Sequence, residues 1–297
     1  MTILIYTSMW KRYHISELFA LGIKRFIKDA PEDIKCIVHA TVSDEESKAI
    51  CIKHGFYHTM CENNPVGNKW NKGLERCIHD YEWDYLLIMG DDDLISSDAW
   101  KHCKPYLQGG IDYFGFNSIY FYDLATHKAL EFTYESKLNS GDYGRIIGCG
   151  RMVSRKAIEK SAFYSKVRFL STFSHGHYRY WKNDVIDLPT YQAKYLVGTG
   201  RAEMVGDRYF ALWDCEQERG LDNESEIRLL SNGFTIHCIS TERAMMIDVK
   251  TQRNINHYDK FEKNAQSIAV DTDTALAVMQ KKEIRYINFL RKQPCNV

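Results

Sequence analysis

The chain has 297 residues, of which 44% are apolar and 26% charged, and its 39 Lys and Arg balance its 39 Asp and Glu. This composition is typical of a globular protein and excludes a disordered or fibrous chain. Nine scattered cysteines without a CxxC pair favour reduced thiols over disulfides or a zinc site. The N-terminus lacks the basic region of a signal peptide, and no run approaches the roughly 18 apolar residues that span a bilayer. We therefore expect a cytoplasmic protein and leave its oligomeric state open.

The first ninety residues alternate between strand-like and helix-like patterns. Apolar runs predict strands at 2–7, 34–42, 56–61 and 85–90, and helix-spaced apolar residues predict helices at 16–28, 44–54 and 68–81. Ser43, with Glu46 three residues later, is predicted to cap the second helix. Strands that alternate with helices of this length predict βαβ units. The expected fold class is therefore α/β, with a mostly parallel sheet flanked by helices.

The pattern changes after residue 101. Aromatic-rich segments predict strands at 112–123 and 128–134, and residues 145–158 predict a strand that runs into a helix. Residues 221–239 predict a helix that stops at Gly233 and a final strand. The tail from 273 to 292 is predicted to end in a basic amphipathic helix.

Three consecutive aspartates, Asp91, Asp92 and Asp93, follow the predicted strand at 85–90. In open α/β sheets, ligands bind beyond the carboxyl ends of the strands. Hard divalent cations prefer carboxylate oxygens together with substrate phosphates. The cluster therefore predicts a metal or phosphate site, and the alternative is an acidic helix start that the helix dipole favours.

Four segments in this order resemble those of the GT-A glycosyltransferases, especially the family-2-like members. They are ILIYTSMWKR (3–12), GNKWNKGLERC (67–77), YLLIMGDDD (85–93) and LDNESEIRLLSNGF (221–234). The resemblance implies a Rossmann-like GT-A sheet, a UDP-sugar donor, and Mn²⁺ or Mg²⁺ as cofactor. It also implies one domain over 1–240, with a nucleotide-sugar half (1–95) and an acceptor half (96–240), followed by a helical extension (241–297).

The resemblance assigns roles to residues of the first three segments. The donor-binding residues would be Thr7, Ser8, Lys69, Asn71, Asp91 and Asp92. The metal ligands would be Asp93 and Asp91, with His257 as a third ligand late in the chain. Lys11 or Arg12 could contact phosphate, or could be a solvated surface charge.

The fourth segment resembles the helix that carries the catalytic base of inverting members. The resemblance points to Asp222 as the base, but Leu221 stands where the family has Glu. Glu224 and Asp214 are the alternatives. Attack from the face opposite the leaving group would invert the anomeric centre.

Residues 151–182 contain eight Lys or Arg and a single acid, Glu159, interleaved with aromatic residues. In the family this region shapes the acceptor site, and we predict acceptor contacts from Arg179, Tyr180 and Trp181. Aromatic rings stack on bases or sugars, and cations bind phosphate. The acceptor could be a hydroxymethylated base in double-stranded DNA, as in phage DNA modification, or a surface saccharide. The alternative is a basic surface loop over an apolar core.

Two other classes share parts of this pattern. A nucleotidyltransferase also has a βαβ start and metal carboxylates, but it normally has a glycine-rich loop after the first strand, which TSMWKRYH lacks. A non-catalytic nucleotide-binding module is the other alternative. The basic C-terminal helix would suit peripheral contact with an anionic membrane.

Overall fold

The computed structural model describes residues 1–134, 146–175, 178–213, 221–251 and 257–292. Its strands are β1 (Thr2–Met9), β2 (Lys35–Val42), β3 (Tyr57–Met60), β4 (Tyr85–Ile88), β5 (Asp93–Ile95), β6 (Tyr113–Phe116), β7 (Ser118–Asp123), β8 (Lys128–Thr133), β9 (Arg151–Ser154), β10 (Phe163–Phe169), β11 (Phe173–His175), β12 (Tyr178–Tyr180), β13 (Val185–Pro189), β14 (Ala202–Phe210), β15 (His237–Ile239), β16 (Met246–Lys250) and β17 (Ser267–Val270). Its helices are α1 (Tyr13–Lys28), α2 (Glu45–His54), α3 (Val66–Asp80), α4 (Ala99–Gln108), α5 (Arg155–Ser161), α6 (Thr190–Gly198), α7 (Leu221–Ser231), α8 (Tyr258–Glu262), α9 (Thr272–Leu276) and α10 (Lys281–Leu290).

The main sheet has seven strands in the order β15-β6-β9-β4-β1-β2-β3. All of them run in one direction except β9, which is antiparallel to β4 and β6. The predicted α/β class and the mostly parallel sheet flanked by helices are therefore confirmed. Apolar clusters cover both faces of this sheet, which explains why β1 and β4 are almost continuously buried.

Helix α3 packs very closely on the main sheet, and Gly73 permits this. A β-carbon at Gly73 would lie 1.9 Å from Thr41 Cγ2 and 2.4 Å from Tyr6 Oη. The phenol of Tyr6 also donates a hydrogen bond of 2.6 Å to the carbonyl of Trp70 in α3. These contacts fix the middle of α3 against β1 and β2.

A second sheet has five strands in the order β17-β8-β7-β16-β5. The aromatic segment predicted as a strand at 112–123 is two strands, β6 and β7, which join different sheets on either side of Asn117. The segment 241–297, predicted as a helical extension, contributes strands as well as helices. Its strand β16 lies between β7 and β5, so part of this segment is interior to the second sheet.

The second half of the basic stretch, from Lys166 to Lys182, belongs to a small lobe formed by residues 163–210, whereas its first half forms β9 and α5. Its strands form a three-stranded sheet, β13-β10-β14, and a hairpin, β11-β12. The two ends of the lobe are adjacent, because Phe163 pairs with Phe210 and the Ala211 amide donates to the Ala162 carbonyl at 2.7 Å. The lobe is thus an insertion that leaves and re-enters the main body at one place.

The cap of α2 differs from the sequence prediction, and the predicted C-terminal helix is present. Helix α2 is capped by Asp44, whose Oδ1 accepts from the Ser47 amide at 2.8 Å, and the predicted cap Ser43 does not take this role. The tail ends in helix α10, as predicted, and the shorter helix α9 precedes it. A buried ion pair of 2.6 Å between Arg25 and Glu283 attaches α10 to α1. Within the described residues, none of the helices has the length and apolarity required to cross a membrane.

Substitution of Gly73 by alanine tests the close approach of α3. Alanine favours helix by about 1 kcal/mol over glycine, but the added methyl has no room against Thr41 and Tyr6. We expect Gly73→Ala to lower the free energy of unfolding by about 1–3 kcal/mol, measured by urea denaturation. Gly198→Ala is the control, since no atom lies within 4 Å of its added β-carbon. Equal stability of Gly73→Ala and wild type would contradict this account of the packing.

Candidate functional site

The three aspartates lie where β4 ends and the chain turns into β5. The backbone amide of Gly90 donates to Asp93 Oδ2 at 2.7 Å, and a β-carbon at Gly90 would lie 2.7 Å from carboxylate oxygens of both Asp92 and Asp93. Glycine is therefore required for the carboxylates to fold back over the strand end. The predicted position of the cluster at the carboxyl end of this strand is confirmed.

The pairing of β5 with strand β16 adds a fourth carboxylate, Asp248, to the cluster. β5 pairs with β16 in the antiparallel sense, with Asp93 directly opposite Asp248. The turn is also attached to β16 by the Val249 amide, which donates to the Asp92 carbonyl at 2.9 Å. Like charges opposite each other on neighbouring strands are destabilising, so this pair requires compensating charge.

Arg12, which follows β1, supplies one compensating charge. Its guanidinium pairs with Asp91 and, at 2.8 Å, with Asp92. Asp91 also accepts a hydrogen bond of 2.7 Å from Ser16 and is fully buried. Burial alone would lower the pKa of Arg12, but the attraction of Asp91 and Asp92 raises it above its ordinary value.

Lys250 supplies the second charge. Its ammonium forms an ion pair with Asp248, two residues away on the same face of β16. The same nitrogen lies 5.2 Å from the ring centroids of Phe121 and Phe261, and Lys250 is 5% exposed. Phe121 and Phe261 themselves stack at 3.7 Å. The ammonium is thus enclosed by two rings and one carboxylate.

Among the described residues, a single group of His, Cys, Asp or Glu side chains has the geometry to hold a metal ion. It consists of Asp92, Asp93 and Asp248, whose ligand atoms lie within 4.8 Å of one another. Asp248 Oδ1 is buried and has no hydrogen-bond partner in the described part of the chain. An oxygen-only set with an unpartnered carboxylate oxygen fits Mg²⁺ or Mn²⁺.

The metal-capable group differs from the predicted ligands. It includes Asp93 as predicted and adds Asp92, which was assigned to the donor. Asp91 is outside this group, because its carboxylate is directed to Arg12 and Ser16. His257 is exposed at the start of α8 and is also outside the group.

Burial and mutual repulsion perturb the titration of the carboxylates. Burial, with the neighbouring Asp248 and Asp92, raises the pKa of Asp93 well above its ordinary value. Burial also raises the pKa of Asp248 to about 7, against the opposing attraction of Lys250. Burial would raise the pKa of Asp92 too, but Arg12 and Lys250 outweigh it and lower this pKa. Burial and mutual repulsion thus oppose the ionisation of Asp93 and Asp248.

The predicted donor-binding residues of β1 and α3 line the same edge of the sheet. Thr7 is buried, and its Oγ1 has no hydrogen-bond partner among the described residues, while Ser8 is half-buried. The Lys69 ammonium is buried and donates to the Met9 carbonyl at 2.8 Å and to Asn63 Oδ1 at 3.1 Å. Burial lowers the pKa of Lys69 to about 8, although Asp91 opposes this shift. Lys69 therefore connects α3 to the end of β1.

Asn71, predicted to bind the donor, has its amide group engaged by the chain itself. Its Nδ2 donates to the Trp213 carbonyl at 2.7 Å, and its Oδ1 accepts from the amides of Leu212 and Trp213 at 2.9 and 3.0 Å. Arg228 of α7 donates to the neighbouring Ala211 carbonyl at 2.8 Å. The segment from Ala211 to Trp213 is thus held between α3 and α7. We assign Asn71 a positioning role in this segment.

The predicted base helix is present as α7. Its backbone begins at Leu221, but the side chains of Asp222 and Glu224 lie outside the described residues, as does Asp214. Glu226, one turn further on, lies 3.4 Å from Arg151 of β9. The catalytic assignment to Asp222 therefore stays a prediction, on a helix attached to the main sheet.

The predicted acceptor residues lie in the hairpin of the small lobe. Trp181 is 54% exposed and stacks with the exposed Arg179 guanidinium at 4.4 Å from its ring centroid. Tyr180 is half-buried and packs against Phe169 and Phe173, with ring centroids at 4.7 and 5.3 Å. Tyr180 therefore contributes to the lobe core, and acceptor contact by Arg179 and Trp181 stays a prediction.

Sequence reasoning missed Asp248 and Lys250. Both belong to MMIDVK, an apolar strand with an acid and a base two residues apart, hence on one face. An Asp and a Lys on one face of an otherwise buried strand are unusual enough to have marked it as functional. Their partner across the sheet is Asp93, more than 150 residues earlier in the chain. No local pattern indicates that pairing.

No protein-family model matches the sequence, and no curated protein matches it. Among solved structures, S. aureus TarS 1–349 has a TM-score of 0.46 and 10% identity, covering 84% of this chain and 60% of that one. Its complex with UDP-GlcNAc has a TM-score of 0.45 and 13% identity, covering 88% of this chain and 64% of that one. The chain thus spans less than two thirds of the length of these TarS chains.

Two further similarities come from other enzymes. Glucosyl-3-phosphoglycerate synthase from Mycobacterium tuberculosis has a TM-score of 0.37 and 12% identity, covering 81% of this chain and 70% of that one. A CMP:2-keto-3-deoxy-manno-octonic acid synthetase with CTP has a TM-score of 0.36 and 12% identity, covering 89% of this chain and 96% of that one. All four TM-scores are below 0.5, so the fold assignment rests on the order and direction of the strands.

The positioning role of Asn71 predicts a stability effect. Asn71→Leu leaves two backbone amides and one carbonyl without their partner, and we expect a loss of about 2–4 kcal/mol in the free energy of unfolding. Urea denaturation measures it, with Asn288→Leu on the exposed face of α10 as a control of equal chemistry. Unchanged stability together with lost UDP binding would instead make Asn71 a donor contact.

Proposed function

We propose that the chain is a metal-dependent inverting glycosyltransferase that moves a sugar from a UDP-sugar to an acceptor hydroxyl. The observation that carries the proposal is the buried Asp248 Oδ1, which has no hydrogen-bond partner among the described residues and belongs to the Asp92, Asp93 and Asp248 group. A buried, unpartnered carboxylate oxygen costs free energy unless a cation binds it. UDP as the donor nucleotide and inversion rest on the sequence resemblance.

The charge of the cluster also supports a divalent cation. Four carboxylates, from Asp91, Asp92, Asp93 and Asp248, face two paired cations, Arg12 and Lys250. With all groups ionised, a formal charge of −2 is left, which one divalent ion would neutralise. Asp92, Asp93 and Asp248 would hold it, and there it would stabilise the negative charge that grows on the leaving diphosphate.

The remaining steps are assigned to residues of the chain. Thr7, Ser8 and Lys69 at the end of β1 and the start of α3 would bind the nucleotide diphosphate. Asp222 on α7 would accept the proton of the acceptor hydroxyl, which typically contributes about 10²–10⁴-fold to the rate. Asn71 would hold Leu212 and Trp213 in place, so that the base on α7 keeps its position relative to the donor.

For the acceptor, we propose a ligand that stacks on the exposed pair of Arg179 and Trp181. Either a hydroxymethylated base in DNA or a saccharide provides a face for such stacking. A base in duplex DNA would first have to leave the stack. The exposed cations of the lobe favour an anionic acceptor. If the acceptor is a saccharide linked to a lipid, the basic helix α10 would contact the anionic membrane surface.

The test of the donor site is the thermal shift of the protein with UDP, with and without Mn²⁺. A ligand at ~100 times its Kd adds about 2.7 kcal/mol, which should raise the midpoint by several degrees. We expect this shift to require both UDP and Mn²⁺ and to disappear in Asp93→Asn, whereas Asp259→Asn, an exposed acid of α8, should retain it. Asp222→Asn should keep the shift and lose hydrolysis of UDP-sugars.

Three outcomes distinguish the alternatives. A metal-independent UDP shift that survives in Asp93→Asn would contradict the assigned metal site. If UDP binds but the wild type shows no turnover that is lost in Asp222→Asn, the chain is a non-catalytic nucleotide-binding module. A shift with CTP plus metal and none with UDP would favour a nucleotidyltransferase.

The acceptor class follows from the salt dependence of its binding. Binding of hydroxymethylated DNA should weaken about tenfold or more between about 50 and 200 mM salt, because phosphate contacts release counterions. A neutral saccharide should bind almost independently of salt. Trp181→Ala should weaken whichever acceptor binds, measured by fluorescence anisotropy or calorimetry, and the exposed Tyr195→Ala is the control. Equal acceptor affinity of Trp181→Ala and wild type would exclude the hairpin as the acceptor site.

A further inference from the structure

Lys250 is placed so that it competes with a metal ion for one ligand. Its ammonium pairs with Asp248, the residue that completes the group of three potential metal ligands. Asp92 and Asp93 also attract this ammonium electrostatically. A divalent cation held by Asp92, Asp93 and Asp248 would therefore lie next to an existing positive charge.

An ammonium and a divalent cation that share one carboxylate repel each other, and this repulsion weakens metal binding. Lys250 is 5% exposed, so water screens this repulsion only weakly. The ammonium can relieve it only by leaving Asp248 for another anion.

The surroundings of the ammonium favour a phosphate oxygen as that anion. A lysine ammonium has three N–H donors, and in the described part of the chain Asp248 is the one hydrogen-bond acceptor of Lys250. The rings of Phe121 and Phe261 flank the nitrogen and attract positive charge without accepting a conventional hydrogen bond. Among the described residues, two donors are therefore left for a ligand that enters beside the carboxylates.

We propose that Lys250 is an internal counter-cation that makes metal entry depend on the donor. Without donor, it holds Asp248 and disfavours the divalent ion. When a nucleoside diphosphate binds, Lys250 transfers its ion pair from Asp248 to a diphosphate oxygen, and Asp248 becomes available to the metal. This inference rests on the proposed metal and donor sites, and it adds a thermodynamic coupling between them.

The test is the affinity of the full chain for Mn²⁺, measured from the electron paramagnetic resonance of free Mn²⁺ with and without UDP. Lys250→Met removes the ammonium and keeps an unbranched apolar stem between the two rings. We expect it to bind Mn²⁺ alone about tenfold more tightly than wild type, since a competing charge is gone. UDP should increase the Mn²⁺ affinity of wild type about tenfold more than that of Lys250→Met.

Two further variants complete the design. Lys101→Met removes an exposed lysine paired with Asp98 at 3.0 Å and should leave both Mn²⁺ affinities at the wild-type value. Lys250→Gln repeats the test should the methionine variant not fold. Equal or weaker Mn²⁺ binding by the folded Lys250 variant would overturn the inference. If Asp93→Asn abolishes Mn²⁺ binding in the same assay, the proposed metal site would still stand. Absence of Mn²⁺ binding by wild type, even with UDP, would overturn the metal site and the inference together.

Discussion

The antiparallel pairing of β5 with β16 is the constraint on which the site depends. It places Asp93 opposite Asp248 and brings a carboxylate from the last quarter of the chain to the strand end that carries the other aspartates. Two buried carboxylates in this position repel each other, so the pairing is stable only with cations or protons nearby. Backbone hydrogen bonds of the second sheet, including that from Val249 to Asp92, hold the pair together against this repulsion.

Two cations of the chain itself offset the repulsion between these carboxylates. Arg12, after the end of β1, forms ion pairs with Asp91 and Asp92. Lys250, within β16, forms an ion pair with Asp248. Ion pairs buried in this way contribute little net stability, because desolvation offsets much of their attraction. Removal of either cation would nevertheless leave a buried carboxylate without its partner, so both cations are required while the cluster holds no other positive charge.

Side-chain hydrogen bonds to the short segment from Ala211 to Trp213 connect helices α3 and α7. Asn71 in α3 uses both ends of its amide to hold Leu212 and Trp213, and Arg228 in α7 holds Ala211. The small lobe departs and returns through neighbouring residues, so it is joined to the main body at one place. Helix α3, helix α7 and the small lobe therefore meet at the short segment from Ala211 to Trp213.

The sequence by itself determined the α/β class and the aspartate cluster, because both depend on local patterns. Apolar runs alternating with helix-spaced residues suffice to predict βαβ units, and the acids directly follow a buried strand. Only the tertiary structure decided which carboxylates face one another. Asp248 joined the group through long-range strand pairing, whereas Asp91 was withdrawn from it by Arg12 and Ser16. Asn71 likewise matched a donor motif by sequence, but packing gave its amide to the backbone, since a buried amide must satisfy its hydrogen bonds wherever partners are nearest.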